Sequence, residues 1–269
     1  GHECRRCLEE CYHLPRDRIA TIDAPLSPDI FSLPIQAAPY SRADDVQLVI
    51  VGTLCARKNQ AAIIRALGLL GAARHRYPTR RIVLTVIGDE NSEPAYVKEC
   101  REAAESPSVR NVGRVVLAGA LKHVDVLSAV RESDAFVFAS RFESFGLAPL
   151  EAAALGVPVL STKCGVLPEK LPPSSTRWFQ GRNKGFSRSC FSSHEGQRGC
   201  GAEPLEETCQ SPARGTEEAA WCESLIGLLV EISDGCLADA ARTEAPAVRR
   251  AFEGILAKET RRLHEALTF

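Results

Sequence analysis

Glu143 and Glu151 have seven residues between them in the run Glu143-Ser144-Phe145-Gly146-Leu147-Ala148-Pro149-Leu150-Glu151. An apolar run, Ala135 to Ala139, precedes them, and an Ala-rich helical run ending at Gly156 contains the second. A strand, an acidic turn, a glycine and a helix can together hold a charged, polyhydroxylated ligand. The free N–H groups and partial positive charge of a helix start suit a phosphate. Carboxylates accept hydrogen bonds from sugar hydroxyls, so Glu143 in the turn and Glu151 in the second helical turn can grip a ribose and a hexose on either side of a diphosphate. Alone, this spacing says little, because helical Glu residues are common on solvated faces.

The surrounding residues raise its meaning. The run from Phe142 to Val159 resembles, without a gap, the donor-site signature of retaining GT-B glycosyltransferases of family 4, also called glycosyl transferase group 1. Downstream, Gly165-Val166-Leu167-Pro168-Glu169 is similar to that family's Gly-Gly-x-Pro-Glu segment, and upstream Gly52-Thr53-Leu54-Cys55-Ala56-Arg57-Lys58 is similar to its Gly-Arg-Leu-x-x-x-Lys loop. The resemblance covers about residues 8 to 170.

It implies a role for each matching position. Lys58 would bind the donor diphosphate, Glu143 the transferred sugar and Glu151 the ribose. Gly52, Thr53, Phe145, Gly146 and Leu147 would complete the donor site, with the N–H groups of Gly146 and Leu147 meeting phosphate or sugar oxygens. Lys58 and Glu143 are the catalytic candidates. Thr53 departs from the pattern: it stands where the family has Arg, and a hydroxyl supplies one hydrogen bond without charge. Arg57 is the neighbouring cation that can substitute. No metal and no cofactor are implied, because the donor is itself a nucleoside diphosphate sugar and protein positive charge stabilises its leaving group. Gly88-Asp89 is a candidate for the base pocket. His75 and His123, at helix ends with no marked partner in the sequence, read as surface residues.

The elements that must position these residues follow from apolar patterning. Val46–Val51, Ile82–Ile87, Val115–Ala118, Ala135–Ala139 and Val157–Ser161 read as strands. Between them the pattern predicts helices: one capped by Asn59 with Ile63, Leu67 and Leu70 on a face, one over Pro94–Glu105, one over His123–Glu132 and one over Leu147–Leu155. Pro149 suits the first helical turn and Gly156 a C-terminal stop. Continuous apolar strands alternating with helices predict an α/β, Rossmann-like, doubly wound parallel sheet, which by resemblance is the C-terminal half of a GT-B fold. Ligands of such sheets bind outside the carboxyl ends of the strands. The loops at Gly52–Lys58, Gly88–Asp89, Ser140–Gly146 and Thr162–Gly165 all lie at that edge.

Residues 1–40 read as a short helix over 3–14, a remnant of a preceding domain, and a Pro-rich interdomain linker. Residues 41–170 form the nucleotide-sugar-binding domain. Residues 171–215, rich in Pro, Ser, Gly and Arg without a period, read as an irregular, poorly ordered segment. Residues 216–269 read as helices over 217–232 and 248–267 that cap the sheet, the second with Val248, Phe252, Ile255, Leu263 and Leu267 on one face.

Composition narrows the alternatives. The chain of 269 residues is 45% hydrophobic and 25% charged with a net charge of −1, so it has a globular balance and no electrostatic pull toward nucleic acid. No apolar stretch is long enough to span a bilayer. A cytoplasmic location is the default expectation, with a membrane surface as the other setting open to this family. Eleven cysteines, with no secretory signal, predict reduced thiols. Cys4, Cys7 and Cys11, with His2 and His13 nearby, have zinc-compatible types, but no second cysteine pair follows at finger-like spacing. The absence of Met, with Gly at position 1, is expected of a fragment or processed piece.

The expected activity is hexosyl transfer from a nucleoside diphosphate sugar with retention of anomeric configuration, incomplete without an N-terminal GT-B domain that supplies the acceptor site. The acceptor is a glycan, a lipid or a small molecule. The alternative is a non-catalytic glycosyltransferase-like domain kept for interaction or regulation, a reading favoured by Thr53. A dinucleotide oxidoreductase on a similar sheet is disfavoured, because no Gly-x-Gly-x-x-Gly follows the first strand.

Overall fold

The apolar runs become strands packed between helices on both faces. The computed structural model describes residues 2–19, 24–36, 45–76, 80–179 and 214–267. The elements are α1 (His2–Cys11), α2 (Asp29–Ser32), β1 (Asp45–Val51), α3 (Gln60–Leu70), β2 (Arg81–Ile87), α4 (Pro94–Ala104), α5 (Pro107–Val112), β3 (Gly113–Gly119), α6 (His123–Arg131), β4 (Ala135–Phe138), α7 (Leu147–Ala154), β5 (Val159–Ser161), α8 (Leu167–Lys170), β6 (Thr176–Trp178), α9 (Arg214–Ser233) and α10 (Cys236–Leu267). All strand pairs are parallel, in the order β3-β2-β1-β4-β5-β6.

Because successive strand residues point to opposite faces, one sheet feeds two cores. Leu48, Ile50, Leu84, Val86 and Val137 pack with α3, α4, α5 and α9. Val49, Ile87, Phe136, Phe138 and Val159 pack with α6, α7, α8 and α10. The two C-terminal helices thus cover opposite faces. The first two crossovers carry the chain from β1 outward to β3, and the third, α6, brings it back to β4 on the other side of β1. The direction of winding reverses between β1 and β4, which opens a crevice above their carboxyl ends.

Several expectations are corrected. Asn59 stands at the start of α3 with φ of 58° and makes no capping hydrogen bond; its Oδ1 instead accepts from Arg141 at 3.4 Å. Residues 24–36 of the Pro-rich passage read as a linker are docked on the domain: Leu26 and Ile30 are buried, and the Gln36 amide donates to the carbonyls of Arg131 and Ser133; the rest of that passage lies outside the described residues. The segment read as irregular opens with β6, which pairs with β5 over Val159–Ser161 and Thr176–Trp178; its positions 180–213 lie outside the described residues. The last helix does not begin at Val248 but at Cys236, running through Pro246. Its first half buries Ala238, Ala241 and Ala245, a small-residue face without a strong apolar period. Val248 and Phe252 are buried as expected, whereas the side chains of Leu263 and Leu267 lie outside the described residues. Cys55 and Cys100 are buried thiols outside any disulfide, Cys164 is buried with its sulfur 3.7 Å from the Thr162 hydroxyl oxygen, and Cys11 is exposed; the side chains of Cys4 and Cys7 lie outside the described residues.

Candidate functional site

Three loops meet above β1, β4 and β5. The loop after β1 carries Arg57 and Lys58, and the loop after β4 carries Glu143, so the two strands that border the crevice deliver opposite charges. Lys58 Nζ lies 2.5 Å from Glu143 Oε1 and 5.0 Å from the centroid of the Phe138 ring. Arg57 Nη1 donates to the same carboxylate oxygen at 2.9 Å and to the Phe142 carbonyl at 2.9 Å. Arg57 therefore does place a second cation at the loop in which Thr53 supplies none. The cluster carries one net positive charge, and Glu143, only 9% exposed, sits between its two cations.

Short backbone and hydroxyl contacts hold the loops in register. The Arg141 N–H donates to the Arg57 carbonyl at 2.9 Å, and the Thr162 hydroxyl donates to the Ser140 carbonyl at 2.5 Å. The Gln60 amide donates to the carbonyls of Gly52 and Thr53 at 3.2 and 2.9 Å. Gly165 has φ of +56°, and a Cβ there would stand 1.9 Å from the Glu143 carbonyl oxygen. Only glycine allows that approach. Gly146, with φ of +64°, meets a similar limit, since its Cβ would fall 2.4 Å from Leu167 Cδ2.

Gly146 is also the first cap of α7, and no side chain caps that helix. The opening N–H groups at Gly146 and Leu147 are thus left to an external acceptor, with the helix dipole favouring an anion. The Phe145 and Leu147 side chains are exposed beside this end, along a crevice also lined by Leu150, Val166, Phe252 and Ile255. The loop after β2 is joined to the same edge: the Leu54 N–H donates to the Asp89 carbonyl at 2.9 Å.

Glu151 is buried to 9% exposure rather than solvated on a helix face. Its Oε1 is 3.0 Å from His123 Nε2, and His123 Nδ1 is 3.4 Å from Asp29 Oδ2. His123 is exposed, as expected of a surface residue, but these contacts correct the reading that it has no partner. Partial burial pulls the imidazole pKa down, but the Glu151 and Asp29 carboxylates together raise it above its ordinary value. His75 is exposed, as expected. Nothing in local spacing marks the Asp29–His123–Glu151 contact, because 94 and 28 residues separate its members. The available signal was positional: His123 opens a helix at the sheet edge where the other site loops gather.

Among the described residues no group of three His, Cys, Asp or Glu is arranged to hold a metal ion, and no helix is long and apolar enough to cross a membrane.

Comparison with known proteins agrees with this geometry. A sequence model of the family described as glycosyl transferases group 1 matches residues 45–179. One of the subunits of the human phosphatidylinositol N-acetylglucosaminyltransferase is 32% identical over 157 residues, covering 55% of this chain and 30% of that protein. The D-inositol 3-phosphate glycosyltransferase of Thermobispora bispora is 30% identical over 166 residues, covering 60% of this chain and 38% of that protein. The chain thus spans well under half the length of these relatives. Among solved structures, a glycosyltransferase from Rickettsia africae superposes with a TM-score of 0.60 at 14% identity, covering 95% of this chain and 62% of its own. Anabaena HepE, in complex with UDP and glucose, does so with a TM-score of 0.52 at 17% identity, covering 80% and 49%. At such identities the likeness is one of fold.

Proposed function

The chain belongs to the glycosyl transferases group 1 family, and from that premise we propose that it binds a nucleoside diphosphate sugar and serves as the donor half of a retaining hexosyltransferase. The observation that carries this reading is the meeting of Lys58, Arg57 and Glu143 at the β1/β4 crevice beside the uncapped start of α7. The diphosphate lies against Lys58 and the N–H groups of Gly146 and Leu147, where cation and helix dipole act together. Glu151 accepts from the ribose hydroxyls, and Glu143 turns from its cations to the hydroxyls of the transferred sugar.

In the transfer, the bond from the anomeric carbon to the diphosphate oxygen breaks and its electron pair leaves with the diphosphate. Lys58 and the α7 N-terminus stabilise that developing charge. The acceptor oxygen bonds the same face of the sugar, and its proton is released. A second Rossmann-like domain presents the acceptor, so the chain by itself binds donor and transfers little. Because a solved structure of similar fold holds UDP and glucose, uridine nucleotides are the first donors to try.

Calorimetric titration with UDP, GDP, ADP and their glucose, mannose and N-acetylglucosamine conjugates tests the proposal. One nucleotide is expected to bind saturably, and both Lys58→Ala and Glu151→Ala to weaken it. A folded wild-type chain that binds none of them refutes the assignment.

A further inference from the structure

His123 opens α6 at the sheet edge, where its imidazole, partly exposed, bridges two carboxylates. Nε2 faces Glu151 Oε1 at 3.0 Å and Nδ1 faces Asp29 Oδ2 at 3.4 Å. A neutral imidazole has one N–H and one lone pair, so it can donate to only one carboxylate while turning a lone pair on the other. Only the imidazolium donates to both. Glu151 is bound through Oε1 alone: no hydrogen bond to its Oε2 occurs among the described residues. The bridge therefore fixes the direction of the carboxylate while leaving an oxygen for a ligand.

We propose that His123 is a positioning residue for the nucleotide: as an imidazolium held between Asp29 and Glu151, it orients Glu151 toward the ribose hydroxyls and lets go when it deprotonates. The inference rests on the assignment of Glu151 to the ribose made above. The charged groups around His123 are few. Asp29 faces it from α2 and Glu151 from α7. β1, also packed on α6, carries only Asp45, at its opposite end. Along its own chain the neighbouring charges are Lys122, just before α6, and Asp125 within it, both exposed. The two facing carboxylates outweigh the α6 dipole, which by itself disfavours a cation at a helix start.

The test measures affinity of the whole chain for UDP and for 2′,3′-dideoxy-UDP between pH 7 and 9, above the second ionisation of a terminal phosphate at about 6. GDP or ADP and its dideoxy form replace them if another base binds best. His123→Ala is expected to weaken the ribonucleotide roughly tenfold at pH 7, the size of one lost hydrogen bond to a charged group. The dideoxy form should be almost unaffected. Wild-type affinity for the ribonucleotide should fall as pH rises through the imidazole pKa. His123→Gln, whose amide donates to Glu151 without titrating, should restore most of the affinity and flatten the profile. Equal losses for both nucleotides, or a wild-type profile that survives in His123→Ala, overturn the inference and leave the donor site standing. Failure of the wild-type chain to bind any nucleotide removes both.

Discussion

Lys58 and Glu143 share a contact of 2.5 Å although 85 residues separate them. Each is the partner that the ligand would have to take from the other. A diphosphate competes with Glu143 for Lys58, and the internal carboxylate keeps both cations aimed at the crevice until the exchange. Glu143→Gln removes the competing charge but keeps a hydrogen-bonding side chain. It should leave UDP affinity unchanged or severalfold tighter while abolishing the preference for UDP-sugar over UDP. Lys58→Ala should weaken both ligands by at least tenfold. Calorimetry on the two variants at one ionic strength decides it, and a matched loss of UDP binding in both would show Glu143 to be a scaffold for Lys58 rather than its rival.

Gly165 brings the backbone after β5 against the carbonyl of Glu143. Gly165→Ala combines a left-handed φ with a contact of 1.9 Å to backbone, which cannot be relieved by a side-chain rotation. We expect a loss of about 1–3 kcal/mol in stability together with a displaced Glu143 and weakened donor binding. Thermal melts and nucleotide titration on the same sample check both. An intact melting temperature would mean that the loop relaxes freely.

Asp134, at the turn into β4, accepts from the Gln47 N–H at 2.8 Å. Burial raises its pKa from an ordinary 3.8 to about 6, against the lowering effect of that hydrogen bond and of Arg80. Since the folded state binds the proton more tightly, its stabilising contribution is complete below about pH 4 and is lost as pH rises to about 6. Asp134→Asn should be near neutral at pH 4 and more stable than wild type at pH 8, by an amount on the order of 3 kcal/mol. Denaturant midpoints at the two pH values provide the measurement.

Arg249 donates through Nε to the Ala154 carbonyl at 2.8 Å and through Nη2 to the Leu33 carbonyl at 2.9 Å. It satisfies the last turn of α7 in the absence of a polar cap. Arg249→Ala should destabilise the chain by about 1–3 kcal/mol, and Arg249→Lys should recover only part, because an ammonium cannot reproduce two divergent donors of one planar fork. Full recovery by Lys would reduce the contact to charge alone.

The fold and half the site were legible because the signals for them are local. Strand stretches such as Leu48–Ile50 and Ala135–Phe138 are buried on both sides, so they appear as unbroken apolar runs. Lys58, Glu143 and Glu151 lie at strand and helix ends that those runs define. Four features were not legible. β6 is three residues long, shorter than any period can reveal, and its Thr176-Arg177-Trp178 follows a Pro-Pro-Ser-Ser run that signals a loop. Asn59 has a capping side chain, but its left-handed backbone turns it toward Arg141. His123 carries no local mark at all, since its partners arrive from α2 and α7. α5 starts after Ser106 with Pro107, a pair that suits a helix start, but its six residues are too few to show an apolar face.

The guanidinium of Arg249 closes a loop of 216 residues back to Leu33. Closing so long a loop requires the intervening chain to surrender its freedom first, so contacts of this separation mature late in folding. The residues of the proposed nucleotide site all precede β6, yet the tail of the helix that carries Glu151 is sealed only when position 249 arrives. On a ribosome, the order of synthesis would therefore hold back a finished donor helix until α10 had emerged.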